Sequence, residues 1–139
     1  MKNVLFLCVA NSARSQMAEA LGHKILSDVA LVQSAGSKPS TVNPFAMAAL
    51  KEIGVEHPLA SSKSIQSIDL SNVDLIITLC ADEVCPVVPK NVKQLHWPHE
   101  DPASVGGDDA AKMKSFRNVR DQIRVRIVEL RDQITADLT

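Results

Sequence analysis

Apolar positions along this chain come first in short runs and at the end in one long periodic series. Lys2 to Leu7 is a brief β-rich run that does not alternate with polar residues, the pattern of a strand buried on both faces. From Ser15 to Ser27 the residues Met17, Ala18, Leu21 and Ile25 form a stripe at helical spacing. Leu31 to Ser34 reads as a second strand, closed by Ala35-Gly36 and a polar loop containing Pro39. Asn43 and Pro44 are suited to cap and start a helix that runs through Phe45, Ala49, Leu50 and Ile53 and stops at Gly54. Leu75 to Leu79 is the clearest strand, and Val92 to His96 a weaker fourth. From Met113 onward, Phe116, Val119, Ile123, Ile127, Leu130, Ile134 and Leu138 recur in steps of three and four, which predicts one long amphipathic helix. Its opposite face, with Arg117, Arg124, Arg131 and Asp132, reads as solvated surface.

Strands alternating with helices predict an α/β fold: three layers, with a four-stranded parallel sheet flanked by helices. The 139 residues hold no repeat or linker that would split them, so residues 1–139 are expected to form a single domain. In open sheets of this kind ligands bind beyond the carboxyl ends of the strands. The loops there begin at Cys8, Ser34, Cys80 and Trp97, and two of these four residues are cysteines.

Charge and composition narrow the function classes. Fifteen Lys and Arg against sixteen Asp and Glu leave a net charge of -1, which gives nucleic acid no electrostatic footprint. No apolar run approaches the ~18 residues of a membrane span. The run from Val4 to Ala10 is followed by no cleavage-site pattern, so no secretory signal is expected. Three cysteines are too few, and odd in number, for a disulfide scaffold. A cytoplasmic chain with reactive thiols is the expectation.

The first of these loops, Cys8-Val9-Ala10-Asn11-Ser12-Ala13-Arg14-Ser15, has the form C-x5-R-S between a strand and a helix. The small and polar residues Val9, Ala10, Asn11, Ser12 and Ala13 can curl so that successive N–H groups make an anion nest. The helix that follows presents its positive end to the same point. Arg14 adds a planar fork suited to a tetrahedral oxyanion. Cys8, at the base, sits in positive potential that favours the thiolate, and the Ser15 hydroxyl can donate to its sulfur.

This segment resembles the phosphate loop of the low-molecular-weight protein tyrosine phosphatases. Asn11 to Glu19 (NSARSQMAE) more closely resembles the arsenate reductases built on that fold, as do Thr78-Leu79-Cys80, Cys85-Pro86, His96-Trp97 and Asp101-Pro102-Ala103. The likeness runs in order along nearly the whole chain. It implies a cytoplasmic arsenical-resistance enzyme that reduces arsenate to arsenite, with phosphate or sulfate as mimics of the substrate. Cys8, Arg14, Ser15, Cys80, Cys85 and Asp101 would be its catalytic residues and the Val9 to Arg14 loop its anion site. Cys8 would attack arsenic while Asp101 protonates the departing oxygen. A redox-active disulfide would then pass from Cys8–Cys80 to Cys80–Cys85 and on to external thioredoxin, with no tightly bound cofactor and a monomeric chain.

Residues five apart on a helix rise ~7.5 Å and turn ~140°. Cys80 and Cys85 can therefore pair only where their segment is looped or unwinds, and the spacing is shorter than in the thioredoxin-coupled members. A zinc site from Cys80, Cys85, His96 and His99 is disfavoured by the two-residue gap between the histidines, and no metal ligand set is expected. His57, His96 and His99 read as structural or exposed. Some family members hold potassium through residues matching Asn11, Glu19, Ser34 and an aspartate. Lys63 stands at the aspartate position here, which predicts no potassium requirement.

Three alternatives stay open at this point. A phosphatase would need Cys8, Arg14 and Asp101 but neither Cys80 nor Cys85. Its usual aromatic surroundings are lacking, since the chain has three Phe, one Trp and no Tyr, and Ala103 follows Asp101-Pro102. A reductase coupled to glutathione and glutaredoxin would keep the chemistry and change the partner. A binding module for an oxyanion or a metal would bind without turnover.

Overall fold

The computed structural model describes residues 1–58, 60–81 and 88–137. Four strands, β1 (Lys2–Cys8), β2 (Ala30–Gly36), β3 (Leu75–Thr78) and β4 (Lys93–His96), form one parallel sheet in the order β2-β1-β3-β4. The helices are α1 (Arg14–Ile25), α2 (Pro44–Glu52) and α3 (Asp109–Asp137), and short 3₁₀ turns lie at Ile65–Ser67, Leu70–Asn72 and Pro102–Ser104. This is the expected α/β architecture, with β1 central and buried on both faces.

The two faces of the sheet are covered differently. Val4, Phe6, Leu75 and Ile77 face a large core completed by Met17 and Leu21 of α1, Ala46 and Leu50 of α2, and Phe116, Ile123 and Ile127 of α3. Leu5, Leu7 and Ile76 face a smaller cluster with Val73, Ile65, Ile68, Leu70, Val88 and Val92. Among the described residues the second layer is therefore 3₁₀ turn and extended chain. Asn43 caps α2, its Oδ1 accepting from Phe45 N at 2.8 Å, with Pro44 in the first turn, as the sequence predicts.

Helix α3 differs from expectation in two respects. It begins at Asp109, before the first apolar residue of the stripe, because Asp108 Oδ1 accepts from Ala111 N at 2.9 Å and caps a polar first turn. Leu138, predicted to end the stripe, lies outside the described residues. The arginines of the helix are not simply solvated. Arg117 pairs with Glu52, and buried Arg120 donates to Ala49 O at 2.8 Å and to the same Glu52. Arg131 donates to Ile25 O at 2.9 Å and pairs with Asp28. These contacts fasten α3 to α2 and to the end of α1. No helix among the described residues is long and apolar enough to cross a membrane.

Candidate active site

The carboxyl edge of the sheet carries the site. Cys8 ends β1, and α1 begins at Arg14, so the intervening loop must turn within five residues. Its carbonyl groups are all engaged on the outside. Val9 O accepts from Lys38 N, Ala10 O from Ser40 N and the Ser62 hydroxyl, Asn11 O from Gln16 Nε2, and Ser12 O from Asn43 N. A trans peptide points its N–H away from its C=O. With the carbonyls held outward, the N–H groups of Ala10, Asn11, Ser12 and Ala13 are left to the opposite side of their peptides, an arrangement compatible with the anion nest that the sequence predicts. Asn11 takes the left-handed conformation this curl requires (φ 47°), which asparagine tolerates better than most residues.

Gly36 makes the loop possible. It lies opposite Cys8 in the sheet, and a Cβ there would stand 2.4 Å from Val9 O, 2.9 Å from Asn11 N and 3.0 Å from Cys8 O. Only glycine lets β2 pass this close beneath the loop.

The Asn11 side chain ties the loop together. Its Nδ2 donates to Ser15 Oγ at 2.8 Å and to Ser34 Oγ at 2.9 Å, while Oδ1 accepts from Lys63 N at 2.7 Å and Gln16 Nε2 at 3.0 Å. Ser15 Oγ lies 2.8 Å from Cys8 Sγ. Either atom can donate in that contact, and when Cys8 is a thiolate the Ser15 hydroxyl is the donor.

A cavity of about 200 Å³ opens over Cys8, lined by Cys8, Ala10, Ser12, Ala13, Arg14, Ser40, Asp101 and Ala103. It brings together the sequence-predicted nucleophile, loop, arginine and acid. Asp101 is half-buried and caps the Pro102–Ser104 turn, its Oδ1 accepting from Ala103 N at 3.0 Å. Its neighbour Glu100 is exposed and does not line the cavity. Val9 and Asn11 support the loop, with side chains outside the cavity lining. Ser40 lines the cavity with no signal in the sequence to mark it, whereas Ala103 enters it from the Asp101-Pro102-Ala103 segment.

Arg14 is 5% exposed, and its Nη1 donates to His99 O at 2.9 Å and more distantly to Leu79 O at 3.5 Å. One guanidinium thus touches the loops leaving β3 and β4. Cys80, the residue after Leu79, is fully buried. Thr78 lies opposite Leu7, and Leu79 N donates to Leu7 O at 2.9 Å, so Cys80 leaves the sheet beside the end of β1, where Cys8 stands. Cys85 lies outside the described residues.

Together these features place the Cys8–Ser15 loop, the Cys8 thiol, the Arg14 guanidinium and the Asp101 carboxyl at the edge of a 2-1-3-4 parallel sheet. A family model described as low molecular weight phosphotyrosine protein phosphatase matches residues 3–139. The chain belongs to this family. Within the low molecular weight phosphatase family, its relatives include an arsenate reductase of Halalkalibacterium halodurans, 46% identical over 128 residues, covering 91% of this chain and 92% of that one. An arsenate reductase of Bacillus subtilis is 42% identical over 130 residues, covering 92% and 94%. Among solved structures of this phosphatase fold, an arsenate reductase in the phosphate binding state superposes with TM-score 0.82 at 32% identity, covering 96% of this chain and 99% of that one. A thioredoxin-dependent arsenate reductase of Corynebacterium glutamicum superposes with TM-score 0.76 at 31% identity, covering 99% of this chain and 63% of that one.

Behind the loop lies a second polar cluster. Ser34 Oγ, which accepts from Asn11, donates to Glu19 Oε1 at 3.1 Å, and Lys63 Nζ reaches the same oxygen at 3.2 Å. Burial pushes the Glu19 carboxyl up, but His57 and Lys63 outweigh this and hold it at about 2. The potassium arrangement of some family members does not fit these residues. The Asn11 oxygen is taken by Lys63 N and Gln16, its amide nitrogen faces Ser34, and an ammonium already stands against Glu19. Of the other histidines, His99 is buried with Nδ1 3.1 Å from Gln122 Oε1. Burial pushes its pKa down, aided by Arg126 and Arg14, against the opposing hydrogen bond to Gln122. His96 is exposed, with Nδ1 2.6 Å from Thr78 Oγ1.

Proposed function

We propose that this chain reduces arsenate to arsenite by a thiol relay, with thioredoxin as the terminal reductant. The observation that carries this is the single cavity shared by Cys8, the anion loop, Arg14 and Asp101, with a second buried thiol, Cys80, at the neighbouring strand end. A phosphatase needs one thiolate, whereas a two-electron reduction needs two thiols that become a disulfide.

Arsenate, a tetrahedral oxyanion, docks against the loop's backbone N–H groups and the planar Arg14 fork that lines the same cavity. The Cys8 thiolate attacks arsenic, and Asp101 gives a proton to the oxygen that leaves as water. Cys80 then attacks the Cys8 sulfur. The sulfur–arsenic bonding pair stays on arsenic, which departs as arsenite, and a Cys8–Cys80 disulfide remains. Cys85 attacks Cys80 and releases Cys8, leaving Cys80–Cys85 for the dithiol of thioredoxin to reduce. The role of Cys85 is carried over from the family resemblance. All the thiols belong to one chain, so the unit that turns over is a monomer, and its place is a reducing cytoplasm.

Lys63 is read as a built-in cation beside Glu19, so turnover has no potassium requirement. Equal rates in potassium and sodium salts at matched ionic strength check this, and a clear potassium stimulation refutes it.

The central test is arsenate-dependent NADPH consumption with thioredoxin and thioredoxin reductase. Replacing Cys8, Cys80 or Cys85 by serine is expected to abolish multiple turnover in each case. Normal turnover of Cys85→Ser with thioredoxin would break the relay. Activity only with glutathione and glutaredoxin would keep the reduction and change the partner. Efficient aryl phosphate hydrolysis without arsenate reduction would make the chain a phosphatase.

A further inference from the structure

We propose that Glu19, His23 and His57 form a binding site for a divalent cation of the zinc class, separate from the oxyanion site. Glu19 and His23 are four residues apart on α1 and so share one face of the helix. His57 comes from the loop after α2. One ligand atom from each of the three residues lies within 4.8 Å of the others. A carboxylate oxygen with two imidazole nitrogens is a set that zinc accepts, leaving a fourth position to water.

Two further observations point to a ligand. The His57 side chain is 7% exposed, and its Nε2 lies 2.6 Å from Glu19 Oε2, yet that nitrogen is buried with no aligned hydrogen-bond partner among the described residues. Two of the three donors thus already stand together inside the protein, and a cation binding there would take the place of the proton between them. At zinc–ligand distances near 2.1 Å, tetrahedral ligands stand about 3.4 Å apart, so small rotations of His57 and Glu19 admit the ion. His23 Nε2 lies 2.8 Å from Val32 O. Donation to that carbonyl puts the ring proton on Nε2 and leaves the lone pair on Nδ1, the outer-shell arrangement that metal-binding histidines use.

Lys63 does not block the site. Its ammonium contacts Glu19 through Oε1 and Ser61 O at 3.1 Å, whereas His57 faces Oε2, so the ion would use the Oε2 side of the carboxylate while Lys63 keeps Oε1. The site also differs from the potassium arrangement of other family members, because the His23 and His57 imidazoles take the place of the Asn11 and Ser34 oxygens. An ion on Glu19 would stand two hydrogen bonds from Asn11, through Ser34, and so directly behind the anion loop.

The test is NMR of the imidazole resonances of the full reduced chain during titration with Zn²⁺ to several-fold excess. Zinc will also meet the cysteines, and the imidazoles separate the two events. The resonances of His23 and His57 are expected to move together, saturably, while those of His96 and His99 stay in place. Calorimetry should then show one imidazole-dependent site that His23→Ala and His57→Ala each weaken at least about ten-fold. Zinc uptake that leaves the His23 and His57 resonances unmoved would overturn the proposal. So would uptake that is equally strong in both variants.

Discussion

The two sides of Asn11 are built on opposite electrostatic principles. In front, the loop's carbonyls are held outward and Arg14 shares one cavity with Cys8, a layout that suits an anion. Behind, the Glu19 carboxylate is buried and draws Lys63 and His57 onto itself. The front is a continuous stretch of eight residues, whereas the back is assembled from α1, β2 and two loops. One amide joins them, since Asn11 Nδ2 gives one proton to Ser15, beside Cys8, and the other to Ser34, beside Glu19. The lesson is that the loop's chemistry is local while its rigidity is borrowed. Substitutions in front should act mainly on turnover, and substitutions behind mainly on stability, with a smaller effect on turnover through the loop's rigidity.

The largest expected effect is in front. Arg14→Lys keeps the charge but loses the planar fork that holds His99 O while facing the cavity. It is expected to lower kcat/KM by about 10²–10³, the usual loss for one well-placed oxyanion donor, with little change in Tm. A loss below ten-fold would mean that the N–H nest alone carries the anion.

The back should show itself in acid. Glu19 has its carboxyl held at about 2 against 4.5 for an ordinary glutamate, a stabilisation of up to about 3 kcal/mol. A depressed carboxyl contributes fully above the unfolded value and loses its contribution as pH falls through the folded one. Glu19→Gln should therefore be less stable than the native chain at neutral pH, with the gap closing between about pH 4.5 and 2. Urea midpoints across that window check it. A gap independent of pH would mean that the variant acts through packing.

Gly36→Ala tests the floor that both sides share. Its new Cβ meets Val9 O at 2.4 Å, a backbone atom that cannot turn aside. A cost of about 1–3 kcal/mol is expected, together with weakened binding of phosphate as substrate mimic. Unchanged phosphate affinity would show that the loop curls without close support from β2.

The same contrast explains what was legible in the sequence. C-x5-R-S could be read because all its parts lie in one segment, and the strands could be read because each is a short buried run. The α2 cap at Asn43 and Pro44 is local for the same reason. Gly36 gave no such signal, because its role depends on lying opposite Cys8 across the sheet. The Glu19, His23 and His57 cluster depends on where the loop after α2 returns to α1, and no periodicity encodes that. Ser40 enters the cavity because its N–H is tied to Ala10 O. On α3 the arginines matched a solvated face because an apolar stripe says nothing about partners on other elements. Arg131 finds Asp28 more than a hundred residues away. Asp101 as the proposed acid was legible only through resemblance, because an aspartate before proline is common in turns.

The smallest predicted effect is also the sharpest probe of the back. Lys63 contributes two things that can be separated. Its backbone N–H donates to Asn11 Oδ1 at 2.7 Å and holds the loop whatever the side chain is, while its ammonium neutralises Glu19 from 3.2 Å. Lys63→Asp keeps the first contact and inverts the second, setting a carboxylate beside a buried carboxylate. A monovalent cation then has two anionic groups to bridge, and turnover in the variant should rise with potassium by up to about five-fold, the ~1 kcal/mol of a partly screened pair. The native chain should show no such response, because its cation is covalently attached. Potassium stimulation of equal size in both proteins would mean that the ion acts elsewhere, and that the Lys63 ammonium and the rigidity of the anion loop are not coupled through Glu19.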